Sequence, residues 1–242
     1  MRKYGYLVVE GPHDVEFAYR LLSSFGLDRV RKLADLDETF KPLVPAKFPH
    51  EDDLQKRVPV PLFLQSHSHA IAVHSAGGDA RLAQTIQENA AILDMSAMTG
   101  VGVLLDSDKQ DLPASRYAHL MANLNGLGLI FPASPGMVVT GTPNFGVWVL
   151  PDNHNLGTLE TVLLQSAEVA YPALLASAKQ HIETCKNTGL SVSELREFNS
   201  PSGHSKAIIG AIASILRPGK AVQVSIQDNQ WLKGECLVIL EI

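Results

Sequence analysis

The chain has 242 residues, 45% of them apolar, and a formal net charge of −5. The apolar share suffices for a packed core and excludes a disordered chain, and no run reaches the ~18 apolar residues of a membrane helix. The negative balance argues against a broadly basic nucleic-acid surface, but leaves nucleic acid open, because cations bound at an acidic site would offset its charge.

The N-terminal Met1-Arg2-Lys3-Tyr4-Gly5 passes straight into a strand, Tyr6-Leu7-Val8-Val9, and lacks the long apolar core of a signal peptide. Two cysteines, Cys185 and Cys236, suggest no disulfide framework, so the cytoplasm is the expected compartment. The first strand stops at Glu10. The turn Gly11-Pro12-His13 then leads into a helix predicted from Asp14 to Phe25, with Val15, Ala18, Leu22 and Phe25 as its apolar stripe. Asp14 suits the positive end of that helix, and Gly26 suits its stop.

Residues 28–68 begin charged and then carry Pro42, Pro45, Pro49, Pro59 and Pro61. Such proline density predicts an inserted excursion, with at most a short strand at Leu62-Phe63-Leu64. A strand at Ala70-Ile71-Ala72-Val73, a turn at Gly77-Gly78 and a helix from Asp79 to Leu93 follow. The next strand, Val101 to Leu105, runs into Asp106-Ser107-Asp108, and a helix is predicted from Ala114 to Leu124. Gly128 to Val139 has room for one or two edge strands. The strand Val147-Trp148-Val149-Leu150 runs into Pro151-Asp152-Asn153, and Leu159, Val162, Leu163 and Ala167 mark the buried face of the helix beyond. Helices at Tyr171–Asn187 and Lys206–Leu216 flank a polar loop through Pro201-Ser202-Gly203. Trp231, Leu232, Val238 and Leu240 should fold the tail back onto the body.

Strands alternating with helices predict an α/β fold, a mostly parallel central sheet with helices on both faces and right-handed crossovers. The expected organisation is an α/β domain over 1–170, with the insertion at 28–68, and a helical extension over 171–242 packed on the same core. Three strands stop at acid. If they are parallel neighbours, their ends share one edge, where open α/β sheets place ligands. Carboxylates gathered there would repel one another unless a divalent cation held them, Mg²⁺ first and Mn²⁺ as a substitute.

The stretch Val8-Val9-Glu10-Gly11-Pro12-His13-Asp14-Val15-Glu16-Phe17 resembles the first motif of Toprim domains, and Leu104-Leu105-Asp106-Ser107-Asp108 resembles the second, Asp-x-Asp. Toprim domains occur in type IA and type II topoisomerases, bacterial primases, recombination proteins of the RecR type and nucleases of the overcoming-lysogenization-defect group. Gly146 to Asn153, with Gly157-Thr158-Leu159-Glu160 and Lys206-Ala207, is similar to a small Toprim-related family of unknown function. The resemblance implies a general acid or base, or a metal ligand, at Glu10 and a metal-binding pair at Asp106 and Asp108. Asp152 and Glu160 become candidates for a further metal site, and Lys206 for an electrophile that holds phosphate.

Each role has a plainer rival. Glu10 could be a charged strand end, Asp106-Ser107-Asp108 a helix-capping turn, Glu160 a complement to the helix dipole, and Lys206 a solvated lysine. His154 and His204 read as loop histidines before they read as proton shuttles. His67-Ser68-His69 lacks further ligands for zinc. Gly77-Gly78-Asp79 lacks the lysine of a P-loop, which leaves phosphate binding there a guess.

The chemistry expected is Mg²⁺-dependent phosphotransfer on nucleic acid, most economically hydrolysis of a phosphodiester, either alone or with a protein partner such as an ATPase. The alternative is a non-catalytic binding or assembly module in a DNA/RNA-processing or defence complex. Nucleotidyl transfer, as in primases, is a third reading.

Overall fold

The computed structural model describes residues 2–46, 60–107, 112–124, 127–186 and 189–232. The central ladder starts from β1 (Lys3–Val9), which runs parallel to β4 (His69–Ser75) on one side and to β5 (Gly100–Asp106) on the other. The register places Val9 opposite both Ser75 and Leu104. Next comes β7 (Asn144–Leu150). Asn144 N–H donates to Thr99 O at 3.1 Å near the start of β5 and β7, and Ser107 N–H donates to Leu150 O at 3.2 Å near their ends. The two strands therefore run the same way.

Antiparallel strands close both edges. β3 (Leu62–Gln65) pairs with β4, β2 (Asp28–Arg29) with β3, and β6 (Val138–Val139) with β7. The order is β2-β3-β4-β1-β5-β7-β6. The fold is thus α/β, a seven-stranded mixed sheet with a parallel interior, flanked by helices. Val8, Val9, Ala72 and Val73 are fully buried, as strands covered on both faces require.

The chain forms two compact units, one of Met1–Leu105 with Tyr117–Trp148, the other of Asp106–Arg116 with Val149–Ile242. In the second unit α4 (Leu159–Ala170) packs on α5 (Pro172–Lys186) and α6 (Gly203–Leu216).

In the first unit, α1 (Pro12–Ser23) buries Asp14, Phe17 and Ala18. Phe25, expected on the buried stripe, is 78% exposed, because the helix ends at Ser23 and the chain turns through Phe25 N–H to Leu22 O. Residues 28–68 are less of an excursion than their prolines suggest. They supply β2 and β3 and bury Leu36, Phe40 and Leu43. Phe40 sits edge-on to Tyr4 at 6.1 Å and against Phe63 at 6.0 Å. Arg29 pairs with Glu16 and lies over the Tyr19 ring at 4.0 Å. A second ion pair joins Asp37 to Arg2 at 2.8 Å, so aromatic contacts hold this segment to the sheet and Arg29 holds it to α1.

Two of the remaining helices begin or end differently from the sequence reading. A 3-10 turn at Asp79–Arg81 precedes α2 (Leu82–Ala90), whose Leu82 and Ile86 are buried. α3 spans Pro113–Asn123. Between residues 128 and 139 only Val138–Val139 pairs as strand.

In the second unit, α6 buries Ile208, Ile209, Ile212 and Ala213. It also packs on α7 (Val222–Asp228), a helix the sequence pattern did not predict. Trp231 and Leu232 are buried as expected, while Val238 and Leu240 lie outside the described residues. No helix among the described residues is long and apolar enough to cross a membrane.

Candidate functional site

The order of strands sets β1 between β4 and β5. The chain leaves β1 toward the β4 side of the sheet and leaves β5 toward the β7 side. Adjacent parallel strands whose outgoing connections diverge define a topological switch point, and open α/β sheets bind ligands beyond the carboxyl ends of such strands. Glu10 follows β1, and Asp106 closes β5.

In the first unit, Glu10 is half-buried and its carbonyl accepts the Gly78 N–H at 2.9 Å. Gly77 and Gly78 have φ of 76° and 134°, a conformation glycine adopts without strain. The Gly78 N–H is therefore committed to the protein rather than offered to a phosphate. Asp14 is buried and accepts the Gly11 N–H at 2.9 Å, so it closes the start of α1 as well as complementing its dipole. The imidazoles near His67 do not gather: His69 Nδ1 lies 2.8 Å from Ser68 Oγ, and no group of three metal-binding side chains forms among the described residues.

One pair in this unit escaped the sequence reading. The Tyr6 hydroxyl lies 3.0 Å from His74 Nδ1, with the rings edge-on at 6.1 Å. Burial, and then the charge of Glu88, push the Tyr6 phenol well above its ordinary range, so it stays protonated. Burial lowers the His74 imidazole; Glu88 opposes that shift and Arg81 adds to it. The fold thus prefers neutral His74. Its contribution is complete above the unfolded value of about 6.5 and is lost as pH falls below that, because the unfolded chain takes up the proton first. Between pH 8 and pH 5 the melting temperature should fall less for His74→Phe than for the parent chain. Equal falls would show that His74 is not the group responsible.

In the second unit, Asp106 Oδ1 accepts the Leu159 N–H at 2.8 Å, and the Asp106 carbonyl accepts from Arg116 Nε at 3.1 Å. One carboxylate oxygen at the end of β5 therefore accepts the N–H of the first residue of α4 and stabilises that helix start. Asp108, the second half of the Asp-x-Asp pair, lies outside the described residues. Ser107 between them is fully buried.

The Pro151-Asp152-Asn153 motif makes a turn. Asp152 Oδ1 accepts the N–H groups of His154 at 2.9 Å and Asn155 at 2.7 Å, and Oδ2 accepts Asn155 Nδ2 at 2.8 Å. Burial alone would raise the Asp152 carboxyl. The Asn155 side chain and the two backbone N–H groups outweigh it and hold the group below the ordinary carboxylate range. Asn153 adopts φ of 67°, which asparagine tolerates, and exchanges two hydrogen bonds with Val149: its Oδ1 accepts at 2.8 Å and its N–H donates at 2.7 Å. These residue types are explained by local geometry without a cation.

Glu160 is buried on the first turn of α4 and accepts from Thr158 Oγ1 at 2.8 Å. Lys206 is exposed on the first turn of α6. His204 is tied to α5 through Glu183 at 2.8 Å and stands edge-on to Phe198 at 5.5 Å.

Carboxylate oxygens are the donors Mg²⁺ selects, and one or two of them with waters suffice for it. Glu10 directly after β1 and Asp106 at the end of β5 each supply a carboxylate. Asp106, Asp152 and Glu160 all have partners for their carboxylates within the fold.

A family model described as "Protein of unknown function (DUF3226)" matches residues 4–237, and the chain belongs to that family. It is also similar to a solved structure, the crystal structure of hypothetical protein PH0156 from Pyrococcus horikoshii OT3. The identity is 16%, the TM-score 0.49, and the match covers 100% of this chain and 98% of that one. No curated protein matches the chain. Neither description states an activity.

Proposed function

For this member of a family of unknown function, we propose Mg²⁺-dependent phosphoryl transfer on nucleic acid, most simply hydrolysis of a phosphodiester, in a Toprim-like domain. The observation that carries the reading is the switch point between β1 and β5, with Glu10 following one strand and Asp106 closing the other. In this reading Mg²⁺, or Mn²⁺ in its place, supplies Lewis acidity at the phosphoryl oxygens and lowers the pKa of water. Asp106 and Asp108 hold the ion. Glu10 is a further ligand or accepts the proton of the attacking water. Lys206, exposed at the start of α6, pairs with a substrate phosphate. A cytoplasmic setting and a protein partner such as an ATPase belong to the same proposal.

The test is cleavage of single- and double-stranded DNA and RNA with Mg²⁺ or Mn²⁺, for the parent chain, Glu10→Gln and Asp106→Asn. Each substitution should slow cleavage by about 100-fold or more. Undiminished cleavage in both would remove the site from the reading.

A second reading, a non-catalytic binding or assembly module, gains support from the engagement of Asp106, Asp152 and Glu160 in hydrogen bonds of the fold. It predicts no heat of binding when millimolar Mn²⁺ is titrated into the chain.

A further inference from the structure

We propose that Ser107 is a positioning residue for the Asp106 carboxylate, acting through the segment from Asn155 to Leu159; the inference rests on the phosphoryl-transfer reading above. The Ser107 hydroxyl accepts the Gly157 N–H at 2.7 Å. Its own proton is shared between Gly157 O at 3.1 Å and Asn155 O at 3.2 Å, and its N–H donates to Leu150 O at 3.2 Å. The side chain is fully buried, so water does not compete for these bonds. Two residues after Gly157, the Leu159 N–H donates to Asp106 Oδ1 at 2.8 Å. The hydroxyl therefore sets the position of the peptide that aims the carboxylate.

The segment has no slack. A Cβ on Gly157 would meet Thr161 Oγ1 at 2.8 Å and Pro151 Cδ at 3.0 Å. Thr161 Oγ1 also accepts the Thr158 N–H at 3.1 Å, which fixes the residue between Gly157 and Leu159. Asp106 Oδ1 thus takes its direction from a helix N–H, and a carboxylate is the kind of donor Mg²⁺ selects. A group that orients a ligand in this way is worth roughly 10- to 100-fold in metal affinity.

The experiment compares the full chain with Ser107→Ala and Gly157→Ala by amide hydrogen exchange at Gly157 and Leu159 and by calorimetric titration with Mn²⁺. Both variants should exchange faster at Leu159 and bind Mn²⁺ about ten-fold more weakly or worse. Unchanged exchange at Leu159 in Ser107→Ala overturns the inference, as does faster exchange with unchanged Mn²⁺ affinity. If the parent chain binds no Mn²⁺, the phosphoryl-transfer reading and the metal part of this inference both fall, while exchange at Leu159 still decides whether Ser107 positions the segment. In the unsubstituted chain Mg²⁺ should move the Leu159 amide resonance; a resonance unmoved when binding is saturated overturns the link even if neither variant folds.

Discussion

Gly203→Ala should destabilise the second unit by about 3 kcal/mol or more, beyond the usual cost of overpacking by one methyl. Gly203 is buried at the first position of α6. A Cβ there would meet Phe198 O at 2.5 Å and Phe198 C at 2.7 Å, and the Glu197 carbonyl more closely still. These obstacles are backbone atoms, so no rotamer change relieves them. The peptide after Glu197 or the start of α6 must move. Moving it strains the Gly203 N–H bond to Ser200 O at 3.0 Å and the Lys206 N–H bond to Ser202 O at 2.9 Å, which begin the helix. Urea unfolding of the purified chain, monitored by far-UV circular dichroism, measures the effect. A loss within about 0.5 kcal/mol, the range of an ordinary surface substitution, would show that this close approach does not constrain the fold. The same change would displace Lys206, so any phosphate contact made by that side chain should weaken with it.

Trp231→Ala should cost about 3–5 kcal/mol, the range for removing a large aromatic side chain from a core. Trp231 is fully buried, donates from Nε1 to Ser225 Oγ at 2.9 Å and stands edge-on to Tyr171 at 5.5 Å. It connects α7 to the residue that separates α4 from α5. Trp231→Phe retains most of the apolar surface and should lose only the hydrogen bond and some packing, on the order of 1–2 kcal/mol. Trp148 is the only other tryptophan, so its fluorescence reports on the first unit in both variants. An alanine variant that unfolds no earlier than the phenylalanine variant would count against the cavity argument.

Much of the architecture could be read from short-range pattern. The apolar runs before Glu10, Asp106 and Pro151 are β1, β5 and β7, because four or five apolar residues bounded by acid or turn residues suit a strand covered on both faces. The periodic face of α4 was equally legible: Leu159, Val162, Leu163 and Ala167 are all buried. Local signals misled where tertiary contacts outweighed them. The prolines of 28–68 suggested a segment outside the core, yet Phe40 and Phe63 bury it against the sheet. Phe25 continued the apolar stripe on paper, but the helix ended two residues before it. At the α4 N-terminus, Thr161 Oγ1 accepts the Thr158 N–H.

For the candidate site, sequence alone determined which residues end the strands and that they are acids. Strand period and turn chemistry depend on neighbours a few residues away, so both are written locally. Only the tertiary structure decided what those acids do in the fold. Asp106 finds the Leu159 N–H, Ser107 finds Gly157, and Tyr6 finds His74, partners separated by 53, 50 and 68 positions. Nothing in the spacing of such residues encodes the meeting. It arises because the sheet order sets β1 between β4 and β5, and β7 beside β5, and buried polar groups then bond to whatever donor or acceptor that packing leaves in reach.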